Sequence, residues 1–170
     1  MTDYFALLGE ARQPWLEPEE LKEKYFARAR RAPADAELNE AFRVLSDPKL
    51  RLRHLLALEG VEANAGREIP PALAELFWNT GTLLREIDRW LLRAAETSSA
   101  LARALLSGER AKLKAKLDGL DVQLNTAHEE ALGRLRQPNG IVGLIELHDT
   151  FSYLGRLREQ TREKRLRLDA

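Results

Sequence analysis

Cysteine is absent from this chain, and histidine occurs only three times. The first absence excludes disulfides, thiolate metal sites and cysteine nucleophiles together, and it fits a reducing compartment. The scarcity of histidine leaves little for metal binding or acid–base chemistry. His54, His128 and His148 fall on three different predicted helices, with no pair four residues apart and no carboxylates at ligand spacing. Each reads as a satisfied or solvent-facing side chain. Glycine-rich phosphate cradles of the GxGxxG or GxxxxGKS/T type are missing too. The residues therefore give no case for an enzyme: no catalytic residue, no metal site and no cofactor is expected. No apolar run reaches the ~18 residues that a membrane span needs, and the opening MTDYFALLGEARQ has no basic region followed by a long apolar stretch. A soluble, cytoplasmic protein is the expectation. Charge of one sign is also lacking, since 27 Lys and Arg balance 27 Asp and Glu. The molecule as a whole offers no field to draw it onto nucleic acid or an anionic membrane.

What is present is the material of amphipathic helices: 44% hydrophobic and 32% charged residues in a chain of 170, long enough to bury a core unaided. The punctuation and spacing predict an all-α fold. Thr2 or Asp3 caps a short helix that Gly9 stops. Pro18 opens a second helix, over about 18–31, with Leu21, Tyr25 and Ala29 on one face. A third, from Ala36 to Ser46, buries Leu38, Ala41, Phe42 and Leu45 and ends at Asp47-Pro48. A fourth, Lys49 to Glu59, buries Leu52, Leu55 and Leu56 before Gly60. Such short helices are stable only when packed together. The aperiodic stretch after Gly60 is a linker candidate, giving a first domain over 1–60, a linker over 61–69 and a second domain over 70–170.

In the second domain, Leu73, Leu76, Thr80, Leu83, Ile87, Trp90, Ala94, Ser98, Leu101 and Leu105 recur in threes and fours, as in a seam between antiparallel helices. The spacing leaves open whether the helix runs on through Glu96-Thr97-Ser98-Ser99 or kinks there, and it predicts a break at Ser107-Gly108. A second seam runs from Leu113 to Leu135. Gln137-Pro138-Asn139-Gly140 makes a turn, and a last helix over about 141–168 carries Leu144, Leu147, Phe151, Leu154 and Leu157. The expected architecture is an antiparallel three-helix bundle.

Lys22, Lys24, Arg28, Arg30 and Arg31 make the second helix locally basic. Such a run is either a solvated face or an electrostatic docking surface for an acidic protein partner. Nucleic acid is disfavoured, for there is no aromatic platform or reader motif. Phe77, Trp90 and Phe151 fit the core seams. Trp78 and Tyr153 sit off them, so either half-burial or a partner-binding role accommodates them.

The segments DYFALLG, LKEKYFARARR and LNEAFRVLSDPKLRLRHLLALEG, followed by a helical C-terminal domain, resemble the HscB family of J-domain co-chaperones. The resemblance covers residues 1–60 by motif and 70–168 mainly by architecture. It implies an N-terminal J-domain-like domain that docks on a DnaK-type or HscA-type ATPase chaperone, and a C-terminal bundle that holds an IscU-like iron–sulfur scaffold or another client. By position, it implies chaperone docking by Lys22, Lys24, Arg28, Arg30 and Arg31, with Asp35, and client binding by Leu73, Leu76, Phe77, Tyr153 and Leu154. One departure matters. The His-Pro-Asp tripeptide that the family carries after its second helix is replaced by Ala32-Pro33-Ala34-Asp35, and no histidine precedes His54. Six residues suffice to reverse the chain between helices, so the fold is expected to survive while stimulation of the ATPase is lost or weakened. The alternative is a structural or oligomerising helical module with no chaperone role.

Overall fold

The computed structural model describes residues 1–31, 35–63, 69–137 and 139–170. The middle of the link between the second and third helices, most of the linker after Ala63 and Pro138 of the predicted turn lie outside the described residues. The fold is all-α, with no strand among the described residues. The helices are α1 (Tyr4–Leu8), α2 (Pro18–Ala29), α3 (Ala36–Ser46), α4 (Pro48–Leu58), α5 (Ala74–Glu96, entered through a 3-10 turn at Pro71–Leu73), α6 (Ala100–Leu135) and α7 (Ile141–Asp169). None is long and apolar enough to cross a membrane among the described residues. The chain forms two compact units: Met1–Arg67 with Ala131–Ser152, and Glu68–Glu130 with Tyr153–Ala170.

Local chemistry sets the ends of the first four helices. Asp3 accepts hydrogen bonds from the amides of Phe5 (3.0 Å) and Ala6 (3.2 Å), supplying acceptors for the open first turn of α1. Gly9 ends that helix at φ +69°, with the Glu10 amide donating back to the Phe5 carbonyl at 2.8 Å. The left-handed backbone at Gly9 strains any side chain there, and a Cβ would also have to displace the Arg28 guanidinium, 2.7 Å from where it would stand. Asp35 caps α3 through the amides of Glu37 and Leu38. Asp47 ends α3 and caps α4 through the Leu50 amide at 2.8 Å, with Pro48 in the first position. The core of this unit gathers Phe5, Leu8, Leu21, Leu38, Leu45, Leu52 and Leu56, together with Ala131, Leu135, Leu144, Leu147 and Phe151 from α6 and α7.

In the second unit, Leu83, Ile87 and Trp90 of α5 share a core with Leu113, Leu117, Leu120 and Leu124 of α6 and with Leu154 and Leu157 of α7. The rungs between neighbours show helices running in opposite directions. Glu86 pairs with Lys116, and farther along α5 Arg93 pairs with Glu109. Arg158 donates to Asn125 (2.8 Å) and Arg165 to Asp118 (2.8 Å), joining α7 to α6.

The chain breaks at residues 97–99, not at Ser107-Gly108, where α6 is continuous. Polar side chains at 97–99 serve both ends: the Thr97 hydroxyl donates to the Arg93 carbonyl at 2.6 Å, and Ser99 Oγ faces the Ala102 amide. At Ser107-Gly108, Trp90 Nε1 donating to the Leu106 carbonyl (3.0 Å) and the Arg93–Glu109 pair hold α6 against α5. The seam consequently shifts register past the break. Leu106 is buried, whereas Leu101 and Leu105 are 74% and 65% exposed; Phe77, before the break on α5, stands out of the core as well.

Candidate protein-docking surfaces

The basic helix α2 sorts its cations into two sets. Leu21, Tyr25 and Ala29 face inward, and the Tyr25 ring stacks on Phe42 of α3 at 4.3 Å while its hydroxyl donates to Asn39 Oδ1 at 2.7 Å. Lys24 and Arg28 are half-buried against the turn after α1. Lys24 pairs with Glu10 at 3.0 Å, and Arg28 lies on Gly9. Lys24 is thus tied by an ion pair, and Arg28 is set apart by packing alone. Lys22, Arg30 and Arg31 are exposed; Lys22 has only a 3.7 Å approach to Glu19, and neither arginine has a side-chain partner among the described residues. Phe26, half exposed, lies one turn from Lys22 and one turn from Arg30, so Lys22, Phe26 and Arg30 form an outward stripe. Phe26 is a surface residue that sequence reasoning missed. It was readable, because it follows the inward Tyr25 by one position and so leaves the buried face. Asp35 spends its carboxylate on capping α3.

The five residues associated with client binding separate by burial. Leu73, Tyr153 and Leu154 belong to the core of the second unit, and the Arg156 guanidinium lies 4.3 Å from the Tyr153 ring centroid. Leu76 is half-buried and Phe77 exposed. Beside Phe77, Trp78 is 69% exposed, with the Arg85 guanidinium 6.0 Å from its ring.

Two histidines are buried in the first unit. His54 Nε2 accepts from the Tyr4 amide at 3.1 Å, and its ring stacks on Tyr4 at 4.6 Å, so the neutral imidazole on α4 secures the start of α1. Burial holds its pKa below the ordinary histidine range. His148 is 1% exposed on α7, and neither ring nitrogen is hydrogen-bonded among the described residues. Its Nδ1 lies 3.5 Å from Asp149 Oδ1, an ion-pair approach without hydrogen-bond geometry. Burial lowers its pKa; Asp149 opposes that shift, while Lys49 and Arg53 reinforce it. Ser152 Oγ, one turn along, is likewise unpartnered among the described residues. No group of three His, Asp or Glu side chains able to hold a metal ion occurs among the described residues.

Comparison with known proteins adds no relative: no protein-family model and no curated protein matches the chain.

Proposed function

We propose that this chain is an HscB-like adaptor of chaperone-assisted folding or iron–sulfur cluster assembly. It docks on a DnaK-type ATPase through α2 without delivering the usual stimulation, acts without catalysis of its own, and works in the cytoplasm. In this reading residues 1–60 form a J-domain-like part, and residues 70–170 an antiparallel three-helix bundle that holds an IscU-like scaffold or another client.

The observation that carries the reading is the division of labour on α2 and α3. The motif residues Asn39, Phe42 and Asp47 are spent on structure: Asn39 and Phe42 on Tyr25, and Asp47 as a shared cap. Lys22, Phe26, Arg30 and Arg31 are exposed and can meet a partner. A basic helix with one exposed aromatic suits an acidic protein groove, where the charges raise association rate and specificity more than affinity. No imidazole is available beside that surface to act as the family's His-Pro-Asp does. For the client, the exposed Phe77 and half-buried Leu76 on the first turns of α5 are the residues of the implied set that a partner can reach.

Competition tests the docking half. The full chain is expected to displace an intact J protein from a DnaK-type ATPase, and Arg30→Glu with Arg31→Glu is expected to weaken displacement about tenfold, more at low salt than at high. Failure to compete, or competition insensitive to both charge reversals, would contradict the reading.

A further inference from the structure

The outer side of the α5/α6 pair carries a groove that the adaptor reading does not use. Its floor is Trp90 and Leu113, its volume is about 650 Å³, and Leu92 forms one lip with two-thirds of its surface exposed. A smaller hollow of about 250 Å³ beneath Trp78 shares Glu86 and Lys116 with it, so the two make one trough along the helix pair. The stripe on α5 is Trp78, Thr82, Arg85, Arg89 and Leu92, at helical spacings of four and three. The Arg85 bond to Thr82 (3.2 Å) and its approach to Trp78 place these residues on one face. The matching stripe on α6 is Leu101, Leu105, Lys112 and Lys116. Trp78 lines the smaller hollow and Leu92 the larger, and both are exposed; Leu101 and Leu105, on the same helical face of α6 as Lys112 and Lys116, are exposed as well.

The groove carries a surplus of positive charge. Both carboxylates are already engaged, Glu86 with Lys116 and Glu109 with Arg93. Arg89 reaches only a backbone carbonyl, and Lys112 has no partner among the described residues. An apolar floor between two helices, edged by surplus cations, fits an amphipathic helix with carboxylates flanking its apolar stripe. A second copy would bring the same surplus of cations to the contact, which disfavours self-pairing.

We propose that the α5/α6 groove is a docking site for an acidic amphipathic helix of a partner protein, anchored by Trp78 and Leu92 and selected by Arg89 and Lys112. This inference stands independently of the J-like reading of residues 1–60. The test uses two synthetic peptides of about 20 residues with identical leucine spacing, flanked in one by glutamate and in the other by lysine. Each is titrated onto the full chain, with tryptophan fluorescence and amide chemical shifts as readouts. The expected result is saturable binding of the glutamate peptide, with shifts confined to the α5/α6 groove and at least tenfold weaker binding of the lysine peptide. Leu92→Glu is expected to abolish that binding, and Arg89→Glu with Lys112→Glu to invert the preference. All three side chains are on the surface, so a thermal melt close to that of the parent verifies each variant. Equal affinity for the two peptides, no binding of the glutamate peptide, or survival of its binding in Leu92→Glu would overturn the proposal. So would a sedimenting dimer that Leu92→Glu dissolves, which would assign the groove to a second copy.

Discussion

Three buried polar residues of the first unit respond differently to substitution because their partners differ. Arg51 is 4% exposed and donates to the carbonyls of Pro14 (through Nε, 2.8 Å) and Leu45. Burial pushes its pKa down to about 10, against the favourable field of Asp47, so it remains charged at neutral pH. Arg51→Ala strips both carbonyls of their donor and is expected to cost about 2–4 kcal/mol in urea denaturation, with Arg51→Lys retaining part of the loss. A cost below 1 kcal/mol would show that the contacts are idle. The buried histidines act through pH. Both folded-state pKa values lie below the unfolded one, so the unfolded chain takes up protons first. Their contribution is complete above about pH 6.5 and declines as pH falls through that value toward the folded pKa values. His148→Leu removes a ring with no hydrogen-bonded nitrogen, and it is expected to flatten the loss of stability between pH 7 and 5 at little cost at pH 7. An unchanged acid slope would rule His148 out as a source. His54→Leu, by contrast, orphans the Tyr4 amide and is expected to destabilise at both pH values.

At the scale of the element, the legible signals were the ones with a single reading. Gly9 ends α1, Pro18 opens α2, Asp47-Pro48 separates α3 from α4, and Gly60 closes α4 at φ +74°, while the cap of α1, open between Thr2 and Asp3, falls to Asp3. The α5/α6 break was misplaced at Ser107-Gly108, with 96–99 left open, because two polar breakers lie about ten residues apart and intrinsic preference cannot choose between them. Capping by Thr97 and Ser99 and the hold of Trp90 on Leu106 decide it. Gly108 therefore sits inside a helix with open space where a Cβ would stand. Gly108→Ala is expected to stabilise the chain by about 0.5–1 kcal/mol, measured by thermal melting. Destabilisation would argue for a break there in solution. Asp35 separates capping from docking in the same way. Asp35→Asn keeps the α3 cap and is expected to leave both stability and partner competition unchanged. Asp35→Ala is expected to lose about 1 kcal/mol.

At the scale of the molecule, helical period states which face is buried but not what it is buried against. The seams of α6 and α7 were readable from their spacing. That Ala131, Leu135, Leu144, Leu147 and Phe151 complete the core around Phe5 and Leu52 was not. A fragment of residues 1–67 lacks that contribution and is expected to lose the cooperative melt of the full chain, as followed by circular dichroism. A sharp two-state melt for the fragment would show that its helices suffice. For the candidate site, residue type marked the basic helix, but only packing separated the half-buried Lys24 and Arg28 from the exposed Lys22, Arg30 and Arg31. Likewise, only burial removed Leu73, Tyr153 and Leu154 from the reachable surface. The central claim, a J-like surface that docks without its usual signal, meets its most direct test in single-turnover ATP hydrolysis by a DnaK-type ATPase saturated with the full chain. The expected result is occupancy of the ATPase with a hydrolysis rate within about twofold of the unstimulated one, since no His-Pro-Asp stands at the end of α2. Acceleration matching that of an intact J protein would contradict it.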